Sequence, residues 1–348
     1  VTAPTGPDTI TTSWLAAALR APAGTLKSFS AKPIGTGQMS KSFRLALDWQ
    51  GHDGPRSIVA KCPSLDDKTR AIAQALGSYT LELSWYRELA ASVGISCPRC
   101  LHLESANNDL DFILLLEDLA PARQGDQLAG ASIPQIEAAI KEAARLHAPF
   151  WGNGRAEAHP WLAPNETSAM MVLNLTPEFW RQFRERYATR LAPDILEMGD
   201  AFIAKLNKYL EYEPSAITLQ HRDFRVDNIL FSPNNERAFV VDWQTLGVGA
   251  GASDVAYLIG TSIADRTLRA REERRLVELY VRELTGLGAD ADAEAIWRDY
   301  RLYAFSGVLM AIFASMNVER TERGDEMFAV MAERPAWQAL NLDSLSLL

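Results

Sequence analysis

Leu219 to Gln244 reads LQHRDFRVDNILF, then SPNNERAF, then VVDWQ. The first part carries His221, Arg222 and Asp223, and Asn228 follows the aspartate by five residues. A polar turn, Ser232 to Arg237, separates this part from the apolar run Phe239-Val240-Val241 and Asp242. Apolar runs on either side of a turn rich in Pro and Asn predict a hairpin. Such a hairpin would bring Asp223, Asn228 and Asp242 into one small volume. An aspartate able to take a hydroxyl proton, an amide oxygen and a second carboxylate suit phosphoryl transfer with magnesium.

H-R-D-x-x-x-x-N followed by an aspartate after a β run resembles the catalytic and metal-binding loops of the protein-kinase-like fold. In detail it is more similar to the aminoglycoside-phosphotransferase and choline-kinase-like superfamily, and within it to the ecdysteroid-kinase-like group. That group usually carries Gly where Arg222 stands, so this one position is closer to protein kinases. Asp242-Trp243-Gln244 is similar to the Asp-aromatic-Gln of the small-molecule kinases. The resemblance runs from about Gly35 to Asp254 by motif order and spacing. The plain alternative is a polar hairpin on an ordinary α+β protein, which a motif of this length disfavours.

The resemblance implies an α+β, two-lobed, protein-kinase-like fold. Residues 1–118 would form a small nucleotide-binding lobe with an antiparallel sheet and one long helix. Residues 119–348 would form a larger, mainly helical lobe for catalysis and acceptor binding. ATP and Mg²⁺ are the implied cofactors, and a small-molecule hydroxyl is the implied acceptor.

Length and composition suit a soluble globular protein of two domains or one two-lobed unit. The chain has 348 residues, 47% hydrophobic and 23% charged. Its net charge of -9 disfavours nucleic acid as a partner. No apolar run approaches the ~18 residues of a membrane span, and the N-terminal residues show no secretory pattern. Three cysteines, an odd and low count, suit a reducing, cytoplasmic compartment. Cys97-Pro-Arg-Cys100 has C-x-x-C spacing, but a zinc site needs two more ligands and only His102 is near. Small residues entering a strand are the expected reading.

Along the chain, Asp8 to Arg20 predicts a helix with Thr11, Thr12 or Ser13 as cap. Lys27 to Ile34 and Phe43 to Trp49 predict strands around Gly35, Gly37 and Ser40. A glycine turn between strands can cradle phosphates with backbone N–H groups. Ser57 to Lys61 is a third strand, and Val59-Ala60-Lys61 resembles the kinase strand whose lysine holds the α- and β-phosphates. Its carboxylate partner would lie on a helix over Arg70 to Ser92. Glu82, followed by Trp85 and Tyr86, resembles the E-x-x-F-Y signature of the small-molecule kinases; Glu88 is the second candidate. Strands at Pro98 to Leu103 and Asp111 to Leu116 lead to Glu117 and Leu119. The resemblance makes this the hinge, whose backbone would bind the adenine edge.

Helices are then predicted over Ile133 to His147, Glu166 to Arg190, Asp194 to Tyr212, Arg266 to Leu284, Ala293 to Met316 and Thr321 to Leu340, with Pro335 expected to break or kink the last. Ser253 or Asp254 would cap a further helix, and the resemblance gives Asp254 and His221 the bracing of the catalytic loop. Asp223 would be the base, Asn228 and Asp242 the metal ligands, and Lys61 with Glu82 the phosphate grip. Arg222 is a loop brace or a phosphate neighbour. Asp227 and Gln244 stand outside the direct contacts.

Met170, Met171, Phe179, Trp180, Phe183 and Tyr187, or Trp297, Tyr300, Tyr303, Phe305 and Phe313, are either acceptor lining or core. Their number slightly favours a lipophilic or steroid-like alcohol over an aminoglycoside or choline-like acceptor. A catalytically inactive nucleotide-binding module and an aminoglycoside O-phosphotransferase are the alternatives.

Overall fold

The computed structural model describes residues 3–35, 39–163, 166–317 and 320–348, the side chains of 166–171 apart. The chain forms two compact units: Val1–Pro121 with Val241–Thr245, and Ala122–Val240 with Leu246–Leu348. No helix among the described residues is long and apolar enough to cross a membrane.

The first unit begins with α1 (Thr12–Ala18), whose cap is Thr11: its hydroxyl accepts from the Trp14 N–H. Strands β1 (Leu26–Ile34), β2 (Ser40–Trp49) and β3 (Ser57–Pro63) follow, then α2 (Asp67–Leu76), α3 (Ser78–Ser84), β4 (Cys100–Ala106) and β5 (Asp111–Glu117). The five strands make one antiparallel sheet in the order β1-β2-β3-β5-β4. Side chains alternate between the faces of a strand. Ile58, Ala60 and Cys62 of β3 therefore share one face and pack with Leu15, Leu45, Ile113 and Leu115 in a buried core. Burial pushes the Cys62 thiol up to about 12. Lys61 points to the opposite face, opposite Leu114 in the register.

The expected long helix over Arg70 to Ser92 is broken. Gly77 adopts φ 67° and closes α2, donating its N–H to the Ala73 and Gln74 carbonyls. This left-handed geometry costs glycine little, and it ends helices routinely. After α3 the chain widens into a π turn at Trp85–Leu89, where the Ala90 N–H donates to the Trp85 carbonyl. The break turns α3 so that Tyr79, Glu82 and Leu83 are all buried.

The second unit is mainly helical. It contains β6 (Arg123–Gln124), α4 (Ile133–His147), α5 (Glu166–Tyr187), α6 (Pro193–Ala204), α7 (Leu206–Leu210), β7 (Thr218–Gln220), β8 (Ile229–Phe231), β9 (Ala238–Val240) and β10 (Gly247–Gly249). Helices α8 (Gly251–Ser262), α9 (Arg266–Gly286), α10 (Ala293–Leu302), α11 (Phe305–Asn317) and α12 (Glu322–Asn341) complete it. The expected hairpin is present: β8 pairs with β9, Ile229 opposite Val240 and Phe231 opposite Ala238. β7 pairs with β10 in a separate ribbon.

Two expected helices are each split. Asp194 to Tyr212 divides into α6 and α7 at Lys205, whose φ of -111° leaves the helical region. Ala293 to Met316 divides into α10 and α11 around Tyr303. Conversely, Pro335 does not break α12. It packs against Gly307 of α11, where a Cβ would come within 2.8 Å of the proline ring.

Five of the candidate aromatic residues of these helices are core, while Phe179, Trp297, Tyr303 and Phe313 are half-buried. Trp180, Phe183, Tyr187 and Phe305 are at most 5% exposed within one buried cluster, and Tyr300 is fully buried. They cannot line an acceptor pocket. The side chains of Met170 and Met171 lie outside the described residues. Gly199 lies flat against the Trp180 ring, where a Cβ would collide with the ring carbons. Gly199→Ala is expected to cost about 1–3 kcal/mol through overpacking, read as a lowered denaturation midpoint with an unchanged slope.

Candidate active site

In the first unit, β3 delivers Lys61 and α3 delivers Glu82. The Lys61 Nζ lies 2.6 Å from Glu82 Oε2 and 3.0 Å from Asp242 Oδ1. Burial alone would lower the ammonium's pKa, but the carboxylates of Asp242 and Glu82 outweigh it and raise it. Lys61 is thus a fixed positive charge. Burial pushes the Glu82 carboxyl above the usual range, against the pull of Lys61. Glu88, the second candidate, sits exposed on the π turn.

The segment Asp242-Trp243-Gln244 is anchored at each residue. Asp242 has φ 68°, an uncommon conformation for a residue with a Cβ. The Trp243 ring stacks on Trp85 with centroids 3.9 Å apart. The Gln244 amide donates to Ser40 Oγ (2.9 Å) and to Glu82 Oε2 (3.2 Å). Gln244 therefore ties the start of β2 to the carboxylate that holds Lys61. Gly35 turns the chain after β1 with φ 71°. Gly37 lies outside the described residues.

At the end of β5, the Glu117 N–H donates to the Arg99 carbonyl (2.9 Å), and Leu119 is half-buried. Between them, Asp118 accepts from Ser57 Oγ (2.6 Å) and from Arg44. Burial opposes ionisation there, but these donors hold its carboxyl below the usual range.

In the second unit, the loop after β7 carries Asp223. Its Oδ2 accepts from the Asn228 amide at 2.7 Å. Its Oδ1 accepts from Arg225 Nε and from the Tyr257 hydroxyl, each at 3.1 Å. Asn228 also donates to the Asp223 carbonyl. It thus uses its amide hydrogens on Asp223, while its amide oxygen makes no hydrogen bond among the described residues. Asp227 accepts from Arg225 (2.5 Å) and from the Gln127 N–H (2.8 Å).

Asp254 does not cap its helix. The residue before α8 is Ala250, and Asp254 lies in the first turn. Its carboxylate instead accepts the His221 N–H (2.7 Å) and the Arg222 N–H (2.9 Å). It also meets His147 Nε2 at 3.3 Å, and the other nitrogen of that ring meets the Tyr280 hydroxyl at 2.7 Å. His221 is fully buried, and its Nδ1 faces the Asp223 N–H at 3.3 Å, which places its proton on Nε2. Arg222, at φ 65°, covers Gly247 and donates to the Val248 carbonyl (2.8 Å).

Asn228 and Asp242 are oxygen donors of the hard type that Mg²⁺ takes. No cluster of three or more His, Cys, Asp or Glu side chains that could hold a metal occurs among the described residues. Cys97 and Cys100 form no disulfide.

Two residues of this arrangement escape a reading of the sequence. Arg225 lies inside the motif, two residues from Asp223. Tyr257 follows Asp254 by three residues, which puts both on one face of α8. That spacing is the signal that could have found it.

An antiparallel sheet with a buried lysine–glutamate pair, followed by a helical unit carrying an H-R-D loop, defines a kinase-like fold. The sequence pattern described as the phosphotransferase enzyme family matches residues 52–300, and the chain belongs to that family. Solved structures share the fold. A choline kinase from Cryptosporidium parvum Iowa II is 11% identical, with 92% of this chain and 91% of that one covered and a TM-score of 0.58. A Plasmodium vivax ethanolamine kinase is 11% identical, over 88% and 82%, with a TM-score of 0.52. Spectinomycin phosphotransferase in complex with ADP and spectinomycin is 13% identical, over 93% and 94%, with a TM-score of 0.50. No curated protein matches the chain significantly.

Proposed function

We propose that this phosphotransferase moves the γ-phosphoryl group of ATP to a hydroxyl of a small molecule, with Mg²⁺. The observation that carries the reading is the buried Lys61 ammonium bonded to both Glu82 and Asp242. A lysine placed at that expense of solvation, on a sheet beside a glycine turn, is suited to gripping phosphate oxygens.

Nucleotide binding is assigned to residues 1–118 and catalysis with acceptor binding to 119–348. Gly35, Gly37 and Ser40 are proposed to face the phosphates. Glu117 uses its N–H on Arg99, so its carbonyl and the Leu119 backbone are the proposed adenine contacts. Asp223 aligns the acceptor hydroxyl and takes its proton. The hydroxyl oxygen forms a bond to the γ-phosphorus as the bond to the bridging oxygen breaks, leaving ADP. Asn228 and Asp242 are the proposed Mg²⁺ ligands; the ion, when bound, neutralises phosphate charge. His221 and Asp254 hold the loop. Lys61 and Asp223 together favour an active enzyme over an inactive nucleotide-binding module.

Asp242-Trp243-Gln244 and Glu82 with Trp85 and Tyr86 support the ecdysteroid-kinase-like group. The lipophilic acceptor loses the support of the five buried helical aromatics and keeps that of the half-buried Phe179, Trp297, Tyr303 and Phe313. The acceptor panel should therefore span choline, ethanolamine, spectinomycin, a long-chain alcohol and a sterol alcohol. ADP release above the acceptor-free rate is the expected result. ATP binding without turnover on any compound, alongside a folded protein, would favour the inactive module. The low, odd cysteine count supports a cytoplasmic location.

Asp242→Ala is expected to weaken Mg-ATP binding at least ~10-fold. Unchanged affinity in a calorimetric titration would remove Asp242 from the metal.

A further inference from the structure

The Asp223 carboxylate is not a bare base. A carboxylate offers about four lone-pair sites. Oδ1 meets two donors, the Tyr257 hydroxyl and Arg225 Nε, each at 3.1 Å. Oδ2 meets one, the Asn228 amide at 2.7 Å. We propose that Tyr257, together with Arg225, is a positioning residue that occupies Oδ1 and leaves the free lone pair of Oδ2 to take the acceptor's proton. The inference rests on Asp223 being the base.

The surroundings fix this geometry. Asp227 holds Arg225 from the far side at 2.5 Å and is itself held by the Gln127 N–H. Tyr257 is 3% exposed on α8. One turn earlier on the same helix, Asp254 grips the backbone of His221 and Arg222. Helix α8 thus holds the loop's backbone with one residue and aims its carboxylate with the next on that face. Burial, then the Asp223 charge, raise the Tyr257 hydroxyl well above its ordinary pKa, so it acts as a donor and never as a base.

A tyrosine that merely fills space would be indifferent to Asp223, and a double-mutant cycle separates the two cases. The assay uses the panel compound that drives most ADP release and, in parallel, water as the acceptor. Tyr257→Phe keeps the ring and removes the hydroxyl. It is expected to lower kcat by roughly tenfold to a hundredfold, the range for one lost hydrogen bond to an ionised group. KM for ATP and for the acceptor should stay within about twofold, since only the reacting geometry changes. In an Asp223→Ala background the same change should have no further effect.

Undiminished kcat in Tyr257→Phe, or an equal fractional loss in both backgrounds, overturns the proposal while the base assignment stands. Undiminished turnover in Asp223→Ala alone refutes the base assignment and takes the proposal with it. If Tyr257→Phe does not fold, Arg225→Lys tests the other donor to Oδ1. It keeps the charge beside Asp227 but not the fixed fork geometry. A kcat loss confined to the Asp223 background supports the proposal, and an unchanged kcat overturns it.

Discussion

Asp223→Ala is expected to lower turnover by ~100-fold or more, the range for a lost general base, with ATP affinity near normal. The loss should be this large because no neighbour can substitute. Asp227, the nearest other carboxylate in the motif, is committed to Arg225 and to the Gln127 N–H. Asp254 is committed to the His221 and Arg222 backbone. His221 has its Nδ1 turned to the Asp223 N–H. Affinity should survive because Asp223 itself is assigned no contact with the nucleotide or its metal ion. Steady-state ADP release and calorimetric ATP titration on the same preparation separate the two effects. Normal turnover on the best acceptor, or a matching loss of ATP affinity, would remove Asp223 from the chemistry.

Lys61→Met is expected to harm both stability and activity, and the two can be told apart. Removing one partner of a buried ion pair typically costs about 3–5 kcal/mol, because the other charge stays buried without compensation. Here the remaining charge is Glu82, 1% exposed. Its carboxyl already sits above the usual range, through burial first, and Lys61 is what pulls it back. Without Lys61 the carboxyl rises further and escapes the penalty by taking a proton. A carboxyl raised in the folded state favours folding below its unfolded pKa, and that contribution is lost as pH rises through the folded value. The variant should therefore be closest to wild type near pH 4 to 5 and lose stability progressively above it. Denaturant midpoints across that range test the sign; a penalty that shrank with rising pH would contradict it. Lys61→Met combined with Glu82→Leu should recover most of the stability, since an apolar pair of similar volume often replaces a buried ion pair without loss. Turnover should stay lost in the double variant. Recovered turnover would remove the lysine from phosphate binding.

What the sequence makes legible follows from the range of each interaction. The β8–β9 hairpin is set by apolar runs and a Pro-Asn turn within a few residues, and it is found where expected. The strands β1 to β5 are equally local in origin. The break after α2 also has a local sign, Gly77, which the apolar periodicity over Arg70 to Ser92 masks. The breaks at Lys205 and Tyr303 carry no glycine or proline, so packing against the rest of the unit decides them. Helical periodicity also cannot tell a pocket wall from a core: Trp180, Phe183 and Phe305 read the same either way, and burial resolves them. In the candidate site, Glu82 and Lys61 are paired in advance only by resemblance, because 21 residues of chain separate them. Tyr257 reaches Asp223 across 34 residues, and only its three-residue spacing from Asp254 on α8 points to it in the sequence.

Residues 241–245 group with the first unit, while Val240 before them and Leu246 after them group with the second. The polypeptide thus lends five residues to a body it has already left. A fragment stopping at Pro121 would keep Lys61 and Glu82 but lack Asp242, Trp243 and Gln244. Trp85 would lose its stacking partner, and Ser40 its link to Glu82. No single cut in the gene yields both units whole, so dissecting this protein calls for a transplanted loop rather than a truncation.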